Sequence, residues 1–285
     1  MSILNRKIDF AVVLSVTKAN PNGDPLNGNR PRQNYDGYGE ISDVAIKRKI
    51  RNRLQDMGES IFVQSDDRAT DGYKSLKERA ESDERLAKML KDKKASREDF
   101  AKIACEKWMD VRSFGQVFAF KGSDLSVGVR GPVSIQTATS VDPIDITSLQ
   151  ITKSVSSVTS DTRSSDTMGM KHRVDFGVYV FKGSINTQLA EKTGFTNEDA
   201  EKIKQALITL FENDSSSARP EGSMEVHKVY WWEHSSKLGQ YSSAKVHRSL
   251  KINSKTDSPS EFNEDNYNIE LEELDGLTVK VYEGQ

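Results

Sequence analysis

NPNGDPLNGNRPRQNYDGYGEISDVAIKRKIRNRLQDM, residues 20–57, decides how the rest of the chain is read. A loop dense in Asn, Gly and Pro is followed by a strongly basic helix. Turn-forming residues bring backbone N–H groups to the surface, and the helix places cations beside them. That combination suits a polyanion lying along the protein better than a small apolar substrate. The loop, residues 18–41, is long for a connection, and long ordered loops are usually functional. Ser42 is a good N-cap for a helix over 43–57, with Asp43 in its first turn. Ile46, Ile50, Leu54 and Met57 form one apolar stripe; Lys47 and Arg51 flank it on one side, Lys49 and Arg53 on the other, and Arg48 is expected to point outward. Cations that snorkel around a packed helix are common, but five bases between 47 and 53 with no acid among them exceed what solubility needs.

Upstream, residues 7–17 alternate Ile8, Phe10, Val12, Leu14 and Val16, with Ala11 and Val13 on the second face, which predicts a central strand covered on both sides. The chain has 285 residues, enough for one large domain or two ordinary ones. Apolar residues make up 35% and charged residues 29%, with a mean hydropathy of −0.65. This is the profile of a soluble protein with long polar insertions on a smaller globular centre. The net charge of −2 conceals an asymmetry, because residues 256–285 carry nine acids against one base, Lys280, and residues 1–255 carry forty bases against thirty-four acids. A mildly basic body with an acidic end can bind an anion on one face and a basic neighbour on another; the other reading is an acidic tail kept for solubility. The single cysteine, Cys105, excludes an intramolecular disulfide and lies in an apolar helical pattern as a buried thiol. No signal peptide is visible and no apolar run reaches membrane-spanning length, so the expected location is cytoplasmic.

Residues 61–110 balance twelve bases against twelve acids, and helices are expected near 73–92 and 97–110, the second capped by Ser96 and burying Phe100, Ile103, Ala104 and Trp108. Strand chemistry returns over 111–146, in VRSFGQVFAF and LSVGVRGPVSIQTAT. Between Thr147 and Thr167, twelve of 21 residues are Ser or Thr, a segment either disordered or ordered as a hairpin by a partner. Met168, Gly169 and Met170, then Lys171, His172 and Arg173, close it. The methionines could wedge against nucleobases and the basic triplet could hold phosphates, or the methionines simply fill a gap. Further on come a strand at 174–182, a helix from Thr196 to about 213, an aromatic strand at 224–234, and a final strand pair at 266–271 and 277–282. Without the insertions the order is strand, helix, strand, strand, helix, strand, the split βαβ pattern of ferredoxin-like and RNA-recognition folds.

Enzyme signatures are missing from the sequence. There is no phosphate loop, GxGxxG, HExxH or GxSxG. His227, His234 and His247 read as structural. Asp24 is the one carboxylate worth testing as an acid, base or metal ligand, although its position favours an Asx turn. The aromatic signature of RNA-recognition strands is also missing, so any RNA would be held by backbone and shape contacts.

The opening strand, the NPNGDP run 20–25, Asn29-Arg30-Pro31-Arg32, the basic helix, the DVRSFG run 110–115 and Gly131-Pro132-Val133 together resemble the Cas-seven backbone subunit of type I-C CRISPR Cascade, the Csd-two subfamily of the RAMP superfamily. The resemblance covers nearly the whole chain. It implies an α+β fold: a modified ferredoxin-like, RRM-like palm with a helical finger insertion over 61–120 and a hairpin thumb over 147–171, to which the composition adds an acidic C-terminal segment over 256–285. It implies a non-catalytic subunit without cofactor that polymerises head to tail along CRISPR RNA and presents the spacer to target DNA. Its partners would be further copies of itself, the Cas-five subunit and the large and small Cascade subunits. The RNA-binding residues would be Asn20, Arg32, Ser42, Lys47, Arg48, Arg51, Met168, Lys171 and His172. Type III relatives cut target RNA with a loop aspartate, which makes a metal-dependent ribonuclease using Asp24 the competing expectation.

Overall fold

The opening strand anchors the whole molecule. In the computed structural model, which describes residues 2–152 and 168–285, β1 spans Ile8–Ala19 and pairs antiparallel on both sides. The other strands of its sheet are β2 (Tyr38–Ile41), β3 (Val133–Ile135), β4 (Ala138–Pro143), β5 (Ile146–Thr152), β6 (Met168–Ile185), β7 (Met224–Glu233) and β8 (Val279–Glu283). Their order is β8-β7-β1-β6-β4-β2, with β3 and β5 also pairing with β6. β6 is long because it serves two purposes: Val174–Ile185 builds the sheet beside β1, and Met168–Val174 forms a hairpin stem with β5.

The period-two pattern of β1 separates two cores. Ile8, Phe10, Val12, Leu14 and Val16 face α1 (Asp43–Asp56), which contributes Ile46, Ile50 and Leu54, and a later helix, Asn197–Ile208, which contributes Ile203 and Leu207. Ala11 and Val13 face the other way, onto Tyr230, Trp232, Val246, Leu250, Tyr267, Leu274 and Leu277. Burying two faces of one strand explains why its apolar run is nearly continuous. A third cluster, built from Phe62, Leu86, Phe100, Trp108, Phe118 and Val127, lies within the insertion.

The insertion contains α2 (Leu76–Glu81), α3 (Glu84–Met89), α4 (Arg97–Lys107) and α5 (Met109–Phe114), then a ribbon of two strands, Gly115–Ala119 and Ser126–Arg130. The single helix expected near 73–92 is two, because Asp83 caps a new start by accepting from the Arg85 and Leu86 amides. Residues 111–114 are helical, not extended: Arg112 is held on Asp199 by two hydrogen bonds, of 3.1 and 2.7 Å, and the strand begins only at Gly115. Within the strand region expected over 111–146, the run LSVGVRGPVSIQTAT is divided at Pro132. Residues 126–130 belong to the ribbon, and Val133 starts the sheet strand.

Three helices complete the chain: α6 (Thr187–Thr193), α7 (Asn197–Ile208) and α8 (Ser243–Ser249). The acidic end is folded rather than a solvated tail. Tyr267–Leu271 pairs with Leu250–Ser254, and Val279–Glu283 pairs with β7, so these two segments are not partners of each other as expected. Asn268 and Glu270 alternate with Tyr267, Ile269 and Leu271, whose side chains cover the second face of the sheet. Among the described residues no helix is long and apolar enough to cross a membrane.

Candidate nucleic-acid interface

The turn-rich loop leaves β1 and folds back on itself before reaching α1. Gly23–Asp24 pairs with Arg30–Pro31, and the Asp24 carboxylate accepts from the Leu26 amide at 3.2 Å, starting a short 3-10 turn over Pro25–Asn27. Gly28 ends that turn at φ +57°, a conformation that suits glycine. Asn20 is buried, and its side-chain amide donates to the Asn29 carbonyl at 2.7 Å. Asn22 accepts from the Ser42 amide at 2.9 Å, which seats the loop directly on the start of α1. Ser42 caps the helix as expected, accepting from the Ala45 amide at 3.3 Å. Arg32 reaches Asp24 at 3.6 Å, so the carboxylate proposed for chemistry is both a turn former and an ion-pair partner.

The bases of α1 are positioned side chains, each with a partner inside the chain. Lys47 donates to Asp43 at 3.0 Å. Arg48 does not point outward; its guanidinium bends to the Val63 carbonyl at 2.6 Å, and burial together with nearby Arg51 lowers its pKa. Arg51 Nε donates to Asp110 at 2.9 Å while its guanidinium lies 5.1 Å from the centre of the Phe114 ring. Asp110 is fully buried and also accepts from the Phe62 and Val63 amides at 2.7 and 3.0 Å. On the opposite flank Lys49 is buried against Asp214, and burial pulls its ammonium down to about 8 despite that carboxylate. Arg53 is held by Glu212 and Thr209. The flank with Lys47, Arg48 and Arg51 therefore holds three cations against Asp43 and Asp110. It is pre-organised, with donors left over on each guanidinium, but its charge surplus is small.

The hairpin stem meets the loop. His172 and Ser148 are opposed in register, with His172 Nδ1 and Ser148 Oγ 2.8 Å apart, and Arg30 Nη1 donates to the same hydroxyl at 2.8 Å. Arg30 was not singled out by the sequence; only its place in the Asn29–Arg32 step hinted at it. Met168, Met170 and His172 share one face of the stem, and both methionines are exposed, at 60% and 54%. Lys171 lies on the other face with exposed Leu149 and Ile151. Residues 153–167, the remainder of the expected thumb, lie outside the described residues.

The three histidines outside the stem are structural. His234 Nε2 is 2.8 Å from Asp9 in a fully buried pair, His247 Nε2 donates to the Gly183 carbonyl at 3.0 Å, and His227 contacts Ser15 at 2.8 Å. Burial pushes the Cys105 thiol up to about 12, which makes it unreactive at neutral pH. Among the described residues no three His, Cys, Asp or Glu side chains are grouped to hold a metal ion.

A loop and a stem joined beside a basic helix, on one antiparallel sheet, define an α+β protein whose loop, helix start and stem are linked by direct contacts. Residues 6–272 match the model of the family described as CRISPR-associated protein Cas7, and the chain belongs to that family. A curated relative from Haloferax volcanii, "CRISPR-associated protein Cas7", is 27% identical over 235 residues, spanning 76% of this chain and 67% of that protein. A solved chain from a "CRISPR RNA-guided surveillance complex, pre-nicking" has the same fold, with a TM-score of 0.50 at 16% identity over 79% of this chain and 75% of that one.

Proposed function

We propose that this chain is a CRISPR RNA-binding backbone subunit of a type I-C Cascade, acting without catalysis in the cytoplasm. The observation that carries the reading is the chain of contacts joining α1, the loop and the hairpin stem, Asn22 with Ser42 and Arg30 with Ser148 and His172, in a chain of the Cas7 family. The strand order β7-β1-β6-β4 with α1 and α7 on one face supports a modified ferredoxin-like, RRM-like palm. The insertion would be the fingers and the stem the base of the thumb.

The chemistry is sequence-blind. Lys47, Arg48 and Arg51 meet phosphates with charge-assisted hydrogen bonds, which position a strand without reading its bases. Met168 and Met170 present soft apolar surface to unstacked bases. Copies arranged head to tail would bind one RNA cooperatively and leave spacer bases free to pair with target DNA. The Cas-five subunit and the large and small subunits would complete the assembly. A non-catalytic role is supported by Asp24, whose carboxylate is engaged by the Leu26 amide and Arg32.

The test is retention of RNA by purified protein. Binding should weaken steeply with salt, with a log–log slope of about −0.7 for each phosphate neutralised on a single strand. Protein that emerges free of nucleic acid and ignores added RNA removes the proposal.

A further inference from the structure

The α1 flank is nearly neutralised by its own partners, so a phosphate chain passing it needs cation charge from elsewhere. The ribbon after α5 provides a candidate. Its first strand starts at Gly115, directly after Phe114, whose ring lies beneath Arg51. In the ribbon register Gly115 opposes Arg130, Val117 opposes Gly128, and Ala119 opposes Ser126. These six residues form one face, since the alternate residues Phe118 and Val127 are buried in the insertion core. The face is open at Gly128, where an added Cβ would meet nothing within 4 Å. It carries no acid, and Val117 is 65% exposed on it. Glycine at 115 is required for a different reason: φ is +79° and an added Cβ would lie only 2.3 Å from the Val129 carbonyl oxygen, so the ribbon's own backbone fills that space and Gly128 is the open glycine of the face.

Among the described residues Arg130 has neither an ion-pair partner nor a side-chain hydrogen bond, and it is exposed, unlike every base of α1. We infer that Arg130 on this ribbon is a phosphodiester-binding residue that extends the α1 interface, and that the backbone of single-stranded RNA lies across Gly128. An uncommitted guanidinium offers a fork of N–H donors to a phosphate. The absent side chain at Gly128, where an added Cβ meets nothing within 4 Å, allows the sugar-phosphate chain to approach the protein backbone.

This inference rests on the RNA-binding reading, and the experiment separates the two. Protein stripped of nucleic acid is titrated with fluorescein-labelled oligouridine at several salt concentrations. Arg130→Ala should weaken binding several-fold and reduce the salt slope by about 0.7–1, while Arg130→Lys keeps the slope. Thermal melting of each variant should match that of the unaltered protein, as the residue is exposed. Binding by the unaltered protein with no change in Arg130→Ala overturns this assignment alone. An equal loss from Lys93→Ala, a finger cation 3.4 Å from Asp124, also overturns it by making the effect one of diffuse charge. Failure of the unaltered protein to bind overturns the RNA-binding reading as well.

Discussion

Arg51, proposed above as a phosphate contact, is also a structural cation, and its structural part can be measured separately. Its Nε donates to Asp110 at 2.9 Å, and Asp110 is completely out of water. Replacing Arg51 with alanine leaves a buried carboxylate with only the Phe62 and Val63 amides, at 2.7 and 3.0 Å. Breaking one side of a buried pair costs about 3–5 kcal/mol, and two retained charge-assisted hydrogen bonds offset part of that. The expected loss is therefore about 2–3 kcal/mol. Lys47→Ala breaks only a half-buried i,i+4 pair with Asp43 at the helix surface and should cost about 0.3–0.5 kcal/mol. Urea unfolding of nucleic-acid-free protein measures both, and a cycle with Asp110→Ala isolates the coupling. If Arg51→Ala unfolds within about 0.5 kcal/mol of the unaltered protein, the pair is not structural and the reasoning fails. A consequence follows for RNA work. Loss of RNA from a Lys47→Ala, Arg51→Ala double variant mixes folding with binding, whereas Lys47→Ala with Arg48→Ala leaves the Asp110 pair intact.

Burial raises the Asp9 pKa, but hydrogen bonds from His234, Ser243 and Lys7 overcome it and leave the carboxyl below its ordinary 3.8. Its contribution to stability is thus present above that value and lost as pH falls through the folded-state pKa; Asp9→Asn should lower stability at pH 7 and flatten the acid-unfolding curve, measured by circular dichroism. Lys49 titrates near 8 when folded and at 10.5 when unfolded, so the unfolded chain binds more protons between those values and stability should rise with pH across them. Lys49→Met should abolish that rise in urea titrations at successive pH values. Asp24→Ala should remove the turn cap with a loss of about 0.5–1 kcal/mol, and neither it nor the unaltered protein should cut complementary RNA in Mg²⁺ on a denaturing gel.

What the sequence reveals is what local chemistry specifies. β1 is legible because both of its faces are apolar, and Ser42 is legible as a cap because capping is settled within one turn. The Asn–Gly–Pro loop likewise announces its own turns. Apart from Asp43, one helical turn before Lys47, the partners of the α1 bases are not legible: Asp110 lies 59 residues from Arg51 and Asp214 lies 165 from Lys49. This is why the basic helix reads as a bare cationic face when it is a braced one. The acidic C-terminal segment misleads for a related reason. Glu270 and Asn268 alternate with buried or half-buried Tyr267, Ile269 and Leu271, a strand whose partner, Leu250–Ser254, is chosen by tertiary packing rather than by proximity to Val279–Glu283. Arg30 and Arg130 were missed because an arginine's freedom, or its contact with a distant serine, appears only after folding.

The central claim is that the loop, α1 and the hairpin stem hold a ribose-phosphate chain. The most direct measurement is extraction and sizing of nucleic acid from the protein purified in low salt from cells carrying its CRISPR array. The account predicts RNA of discrete length, ribonuclease-sensitive and released by raised salt. Protein with an absorbance spectrum free of nucleic acid, both alone and with its sister subunits, would contradict it.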